Sequence, residues 1–352
     1  MAIGLRPTLN SDFTITINFN KNEFMQKDMD FLLCHFGQEF STVGKKRKFN
    51  EPDLDTAVLY TKIKVDQISS KLNSKIAREY QMSSPTSKCE FSFSFERDLV
   101  CIGGRYCKFS RSLPQSPWAT EIGEVPEPGK SVSEKICKVL EEYFKADSSR
   151  FTTSGREDID VRMLGTGRPF AVQLLNCRRL KPLSSLSQVK TLFDLQKKIN
   201  EDIDIQIRDL CRVTSKEAQI LNVGQEEKKK VYSAVCYTQV PITEEMIKHL
   251  KEKYPLEIVQ KTVVRVLKRR PLLDRNRTIY FMSAMKLDEF HFLLKLETQA
   301  GTYVKEFVTG DFGRTRPSLA DLMEIELGKV DILQLDVEHV DLDWPPKSIH
   351  AV

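Results

Sequence analysis

Thr153-Ser154-Gly155-Arg156-Glu157-Asp158-Ile159-Asp160-Val161-Arg162-Met163-Leu164-Gly165-Thr166-Gly167-Arg168-Pro169-Phe170 concentrates three carboxylates, three guanidiniums and three glycines in eighteen residues. A solvated loop can carry that much charge, but it does not need glycines on both sides of the charged core. Gly155 permits a tight turn, and Gly165 and Gly167 permit positive φ or close approach of a ligand. Ile159, Val161 and Met163 alternate with Asp158, Asp160 and Arg162, the period of a strand with one apolar face. On such a strand Asp158 and Asp160 share a face with Arg162, and Glu157 points the other way. Cations beside an acid favour its ionised form, so an aspartate here can act as a nucleophile. By residue type alone, a hairpin bearing a surface ion-pair cluster explains the stretch at least as well.

The order of the residues goes further. Gly155-Arg156-Glu157-Asp158-Ile159-Asp160-Val161 resembles the Gly-Arg-x-Asp-x-x-Val signature around the catalytic aspartate of pseudouridine synthases. The longer run through Arg168-Pro169-Phe170 is similar to the version in the archaeal and eukaryotic family called Pus-ten, which modifies the TΨC arm of tRNA. Lys230-Val231-Tyr232 resembles the second synthase motif, and Gly301-Thr302-Tyr303-Val304-Lys305-Glu306-Phe307 the third. The similarity runs in order from about residue 103 through Leu113-Pro114-Gln115-Ser116-Pro117-Trp118 and the basic loop from Gly310 to Ser318, and ends at Asp343-Trp344-Pro345-Pro346.

A synthase of this kind detaches a uracil, turns it and reattaches it through C5. It needs a carboxylate, a platform for the base, a cation to hold the carboxylate, and a few kcal/mol to extract the nucleotide from its stack. The resemblance implies Asp158 as nucleophile, Tyr232 as platform and proton relay, and Lys305 as the cation paired with Asp158. Tyr303 and Lys305 are expected to share a strand face, and Leu322 corresponds to the apolar residue beneath the base. Many families place arginine where Lys305 stands; lysine offers a point charge without a bidentate fork. Asp160 departs from the pattern, because other synthase classes have glycine there. Glu157, Asp158 and Asp160 therefore all remain formal candidates, with Arg156 and Arg162 able to counter the extra acid.

Composition sets the frame. With 352 residues, 40% hydrophobic and 29% charged, the chain is long enough for two ordinary globular domains. It contains no apolar run of membrane-spanning length, and Met1 to Pro7 lack the apolar stretch of a secretory signal, so nucleus or cytoplasm is the expected location. The eight cysteines form no Cys-x-x-Cys pair. The zinc knuckle that family members often carry in an accessory domain is therefore not carried over, and no metal or cofactor is expected. The five histidines are scattered away from the opening motif, which disfavours a histidine triad. Net charge is only +5, but Lys261 to Arg277 holds seven cations against Asp274 alone, a net of +6 in seventeen residues. Such a run is usually a solvated face. Here, between strands in a nearly neutral chain, it points to phosphate, with Arg265, Arg269 and Arg270 as RNA contacts. Lys45 to Lys48 is a second basic cluster, suited to nuclear import or phosphate.

Phe13, Ile15, Ile17 and Phe19 alternate as a strand, as do Phe91, Phe93 and Phe95. Helical spacing covers Glu23 to Phe36 and Asp55 to Tyr80, and a short strand is expected over Leu99 to Ile102. Residues 1–103 thus read as a small α+β module, which the resemblance identifies as a THUMP-like RNA-binding domain. Residues 104–352 read as the catalytic domain: α+β, with a mixed, largely antiparallel sheet flanked by helices, the pseudouridine synthase fold. Gly103-Gly104-Arg105-Tyr106-Cys107-Lys108 interleaves cations with an aromatic after a glycine pair, which suits a phosphate or a stacked base, so Arg105 and Lys108 join Arg156, Arg162, Arg168 and Tyr303 as substrate contacts. Ser131 and Glu134 form a capping box for a helix. The expected function is a monomeric, cofactor-free tRNA pseudouridine synthase acting at position 54, 55 or both. The competing expectation is a structured-RNA-binding protein whose main role does not require isomerisation.

Overall fold

Alternating apolar side chains build two sheets, and the computed structural model assigns them to two units, Met1–Glu96 and Arg97–Val352. The described residues are 13–20, 23–40, 67–117, 129–180, 188–222, 228–268 and 270–346. Lys45 to Lys48, the first half of the long helical pattern before Tyr80, Trp118 and Arg269 lie outside them. In the first unit β1 (Phe13–Asn20) pairs with β2 (Glu90–Arg97), beside helices α1 (Met25–Phe40) and α2 (Ser74–Glu79).

The second unit is a ten-stranded sheet. Its strands are β3 (Val100–Lys108), β4 (Ser148–Thr153), β5 (Arg162–Leu175), β6 (Ile205–Val213), β7 (Lys230–Thr238), β8 (Leu256–Lys261), β9 (Asp274–Lys286), β10 (His291–Thr298), β11 (Thr315–Arg316) and β12 (Val330–Val340). The spatial order is β11-β8-β9-β10-β7-β12-β5-β3-β6, with β4 on β5. Every pairing is antiparallel except β12 with β5, where Asp336 faces Arg162 and Val337 faces Met163. The helices are α3 (Val132–Phe144), α4 (Gln188–Ile199), α5 (Ser215–Gln219), α6 (Glu244–Glu252), α7 (Val304–Thr309) and α8 (Leu319–Met323). In α3, Ser131 caps the Glu134 N–H, and Val132, Ile136, Leu140 and Phe144 recur every fourth residue, so one stripe is buried against the sheet. The mixed, largely antiparallel sheet flanked by helices matches the expected α+β class.

β3 overturns one local reading. The short strand expected to close the first module runs on to Lys108 inside the large sheet, and every residue of it is buried. Its glycine pair makes room for aromatic rings, because a Cβ on Gly103 would stand 2.8 Å from the Trp344 ring and one on Gly104 3.1 Å from the Phe170 ring. Tyr106 is fully buried. Arg105 also faces inward, donating to the carbonyls of Thr166, Val340, Leu342 and Trp344 at 2.8–3.1 Å, so it rivets the last strand to the sheet and its donors are spent on the fold.

The opening motif is also not a strand before Arg162. Residues 154–161 form a looped turn in which the Val161 N–H donates to the Asp158 carbonyl, and Ile159 is exposed. The Lys108 ammonium explains the shape. Fully buried beneath the loop, it donates to the carbonyls of Leu113 (2.9 Å), Asp158 (3.2 Å) and Ile159 (2.8 Å), which turns those carbonyls inward where a strand would have aimed them sideways. Arg162 then begins β5 and forms a bidentate pair with Asp336 of β12 at 2.9 and 2.6 Å, a stitch across the parallel junction.

Candidate active site

Where the loop crosses the junction of β12 and β5, it roofs a cavity of about 560 Å³. Lys230 and Tyr232 alternate on β7, so both point to one face and into the cavity. Leu335 and Val337 of β12 lie beside them and, with Val161 and Val304, make the apolar part of the wall. Asp158, Arg156, Lys305, Arg265 and Arg270 supply the charged part, with the Tyr303 ring among them. Three motifs far apart in the chain thus converge on one hollow.

Asp158 is partly exposed to this space. Its Oδ2 accepts from Arg265 Nη1 at 2.9 Å and lies 3.4 Å from the Lys305 ammonium, while Oδ1 has no hydrogen-bond partner among the described residues. Lys305 is held more closely by Asp160, at 2.8 and 2.7 Å to its two oxygens. Burial pushes the Asp160 carboxyl up, but the Lys305 bond and charge outweigh it and hold the group below the ordinary carboxylate range. The extra acid of the motif is therefore occupied with the lysine. Arg265, placed by its sequence among the RNA contacts, instead supplies a closer hydrogen bond to Asp158. Burial lowers its guanidinium, yet the Glu306 hydrogen bond and charge raise it further, so it stands above its ordinary value.

Beneath Asp158 the ladder is buried. Glu157 and Arg168 pair at 2.6 Å with side chains almost wholly enclosed. Tyr106 donates to Glu157 at 2.8 Å, and the Gln115 amide donates to the Tyr106 hydroxyl at 2.7 Å. Arg168 is thus a structural partner of Glu157 at the cavity floor, its guanidinium lowered by burial but raised more by the Glu157 charge. Gly155, at φ +80°, is required here: a Cβ would stand 2.9 Å from Lys230 Nζ and 3.2 Å from Arg168 Nη1. Burial and the Arg168 charge push the Lys230 ammonium down to about 7, with Glu157 opposing them. Burial likewise lifts the Tyr232 hydroxyl to about 12, so it enters any reaction with its proton on.

Tyr303 and Lys305 do not share a strand. Gly301 turns the chain into α7, and the Gln260 side chain brackets Tyr303, donating to its carbonyl at 3.0 Å and accepting its N–H at 2.9 Å. The helix still delivers Tyr303 and Lys305 to the cavity, but it sends Leu322, on α8, into the hydrophobic core and away from it. The apolar residues of β12 that do line the cavity are Leu335 and Val337. Of the sequence-named contacts, Arg156 and Arg270 are exposed at the cavity without a side-chain partner among the described residues, whereas Arg105, Arg162 and Lys108 are spent on the fold. Lys230 was legible, because the Lys-x-Tyr alternation puts it beside Tyr232. Glu306, Gln260 and the β12 pair carried no signal, since only folding brings them near. Among the described residues, no group of three or more His, Cys, Asp and Glu side chains could hold a metal ion.

Comparison with known proteins shows the family. Residues 101–341 match the family model described as "Pus10, C-terminal". A protein named tRNA pseudouridine synthase Pus10 from Homo sapiens is 47% identical over 75% of this chain and 48% of its own length. Those of Xenopus laevis (39% identical; 98% of this chain, 64% of that protein) and Pyrococcus furiosus (35%; 68% and 58%) are similar too. The chain spans about half the length of the human and mouse relatives.

Proposed function

The chain belongs to the Pus10 C-terminal family, and on that premise we propose that it isomerises uridine to pseudouridine in the TΨC arm of tRNA, at position 54, 55 or both. One observation carries the reading: Asp158, Tyr232 and Lys305 line one cavity, with Arg265 bound to the carboxylate. Asp158 Oδ1 is the attacking atom. Arg265 and Lys305 hold the carboxylate in place, and the extracted uracil lies over the Tyr232 ring and the adjoining apolar side chains of Leu335 and Val337. The Tyr232 hydroxyl hydrogen-bonds the turned base and, as it takes up the C5 proton, releases its own to solvent in the same step, so the phenol is never ionised. Arg156 and Arg270 at the cavity, with the basic loop after β8, take backbone phosphates. No cofactor enters, because the isomerisation needs neither energy nor electrons. The unit over residues 1–96 serves as a THUMP-like accessory module that grips the tRNA away from the target.

The test is incubation with unmodified tRNA transcript and chemical mapping of pseudouridine, with Asp158→Asn and Asp160→Asn in parallel. The expected result is modification in the TΨC arm, abolished by Asp158→Asn and retained within about tenfold by Asp160→Asn, since Lys305 then turns wholly to Asp158. Tight tRNA binding without any modification would establish a binding module instead.

A further inference from the structure

Glu306 is a carboxylate in a place that would suit an apolar residue. It is 5% exposed, sits on α7 between Lys305 and the fully buried Phe307, and its Oε2 has no hydrogen-bond partner among the described residues. Burying a half-satisfied carboxylate costs stability, so the fold alone gives no reason for it. Its Oε1 accepts from Arg265 Nε at 2.5 Å, while Nη1 of the same guanidinium donates to Asp158 Oδ2 at 2.9 Å. Two separate N–H groups of one planar cation are thus held by two carboxylates, only one of which faces the cavity.

The loop that carries Arg265 is pinned for the same end. The Val264 N–H donates to Asp311 at 3.2 Å, and the carbonyl of buried Thr262 accepts the Arg314 guanidinium at 2.7 and 3.2 Å. The Tyr303 ring lies 5.7 Å from Arg265 Cζ. Lys305, a point charge committed chiefly to Asp160, cannot orient Asp158 in the way a fixed fork can. We propose that Glu306 is a positioning residue, which fixes Arg265 against Asp158 and so sets the direction of the attacking carboxylate. The proposal rests on the reading of Asp158 as nucleophile.

A double-mutant cycle tests it in the full chain, with single-turnover pseudouridine formation and tRNA KM as readouts. Arg265→Gln is expected to lower the rate about 100-fold and Glu306→Gln about 10-fold, each with KM within about twofold of wild type. In the Arg265→Gln background, Glu306→Gln should change the rate by less than about twofold, because its only route to Asp158 is gone. Equal factors in both backgrounds, or a raised KM at unchanged rate, would overturn the proposal. Should Glu306→Gln fail to fold, Glu306→Asp, which keeps the charge but withdraws it by one methylene, runs through the same cycle. The Arg265 Nε–H resonance, sheltered from exchange in the wild type and exchanging freely in the Glu306 variant, reports the positioning without any activity. If the wild type makes no pseudouridine, the functional reading fails while this signal still decides the contact.

Discussion

Replacing Lys108 by methionine separates two roles that the sequence could not tell apart. An RNA contact at this position would give weaker tRNA binding with chemistry intact. The structure gives Lys108 no access to RNA: its ammonium is buried and bonds three carbonyls, two of them in the Asp158 loop. Burial, partly offset by Glu157, Asp160 and Asp158, pushes it from 10.5 down to about 8, so holding the charge there costs about 3 kcal/mol. Lys108→Met relieves that cost and fills nearly the same volume. Against this, the Leu113 carbonyl stays buried and unpaired, at about 1–3 kcal/mol, whereas the Asp158 and Ile159 carbonyls turn out to water. The opposing terms leave stability between unchanged and a gain of about 2 kcal/mol, so Tm stays level or rises by up to roughly 8 °C. The loop, however, loses the tether on the carbonyls of Asp158 and Ile159 while Glu157 stays anchored on Arg168, and a displacement of about 1 Å at the nucleophile costs about 100-fold in rate. The expected outcome is a folded protein with tRNA affinity within about twofold of wild type and single-turnover pseudouridine formation down about 100-fold. A variant with weakened tRNA binding and unchanged chemistry would refute the reasoning.

Two further outcomes follow from the same geometry. Gly165→Ala should destabilise the second unit by more than about 3 kcal/mol in chemical denaturation, because its Cβ would fall 1.9 Å from the Glu338 carbonyl oxygen at φ +58°; a wild-type midpoint would contradict that contact. For Lys230 the folded value of about 7 lies below the unfolded 10.5, so the unfolded chain binds more protons between them, and this group's contribution to stability is level below pH 7 and rises above it. Wild type should therefore gain on Lys230→Met from pH 7 to pH 9, before the Tyr232 hydroxyl, raised to about 12, begins to pull the other way. A pH-independent difference between the two proteins would sink the assignment.

Much of this was legible without coordinates. Alternation placed β1 and β2, the Ser131 cap placed the start of α3, and the ordered motifs named Asp158, Tyr232, Lys305 and Arg156. These features are local, and their physical causes act over two to four residues, which is why they can be read along a line. The direction of a side chain relative to the sheet is not local. Arg105 and Lys108 look like phosphate ligands because a cation's solvation depends on what covers it, and the groups that enclose them, Thr166 and residues 340–344 around Arg105 and the Asp158 loop over Lys108, lie far along the chain. Arg265 looks like part of a phosphate-binding run for the same reason; only the hairpin of β8 and β9 against α7 brings it between Asp158 and Glu306. The Asp158 loop reads as a strand because its apolar alternation is real, and it is bent by a lysine some fifty residues earlier whose bonds to its carbonyls exist only when β3 lies beneath it. The order of residues specifies the available chemistry and the class of fold; which charges are spent on holding the chain and which are left for a substrate is set by the packed fold, because pairing and desolvation of charge depend on proximity in space.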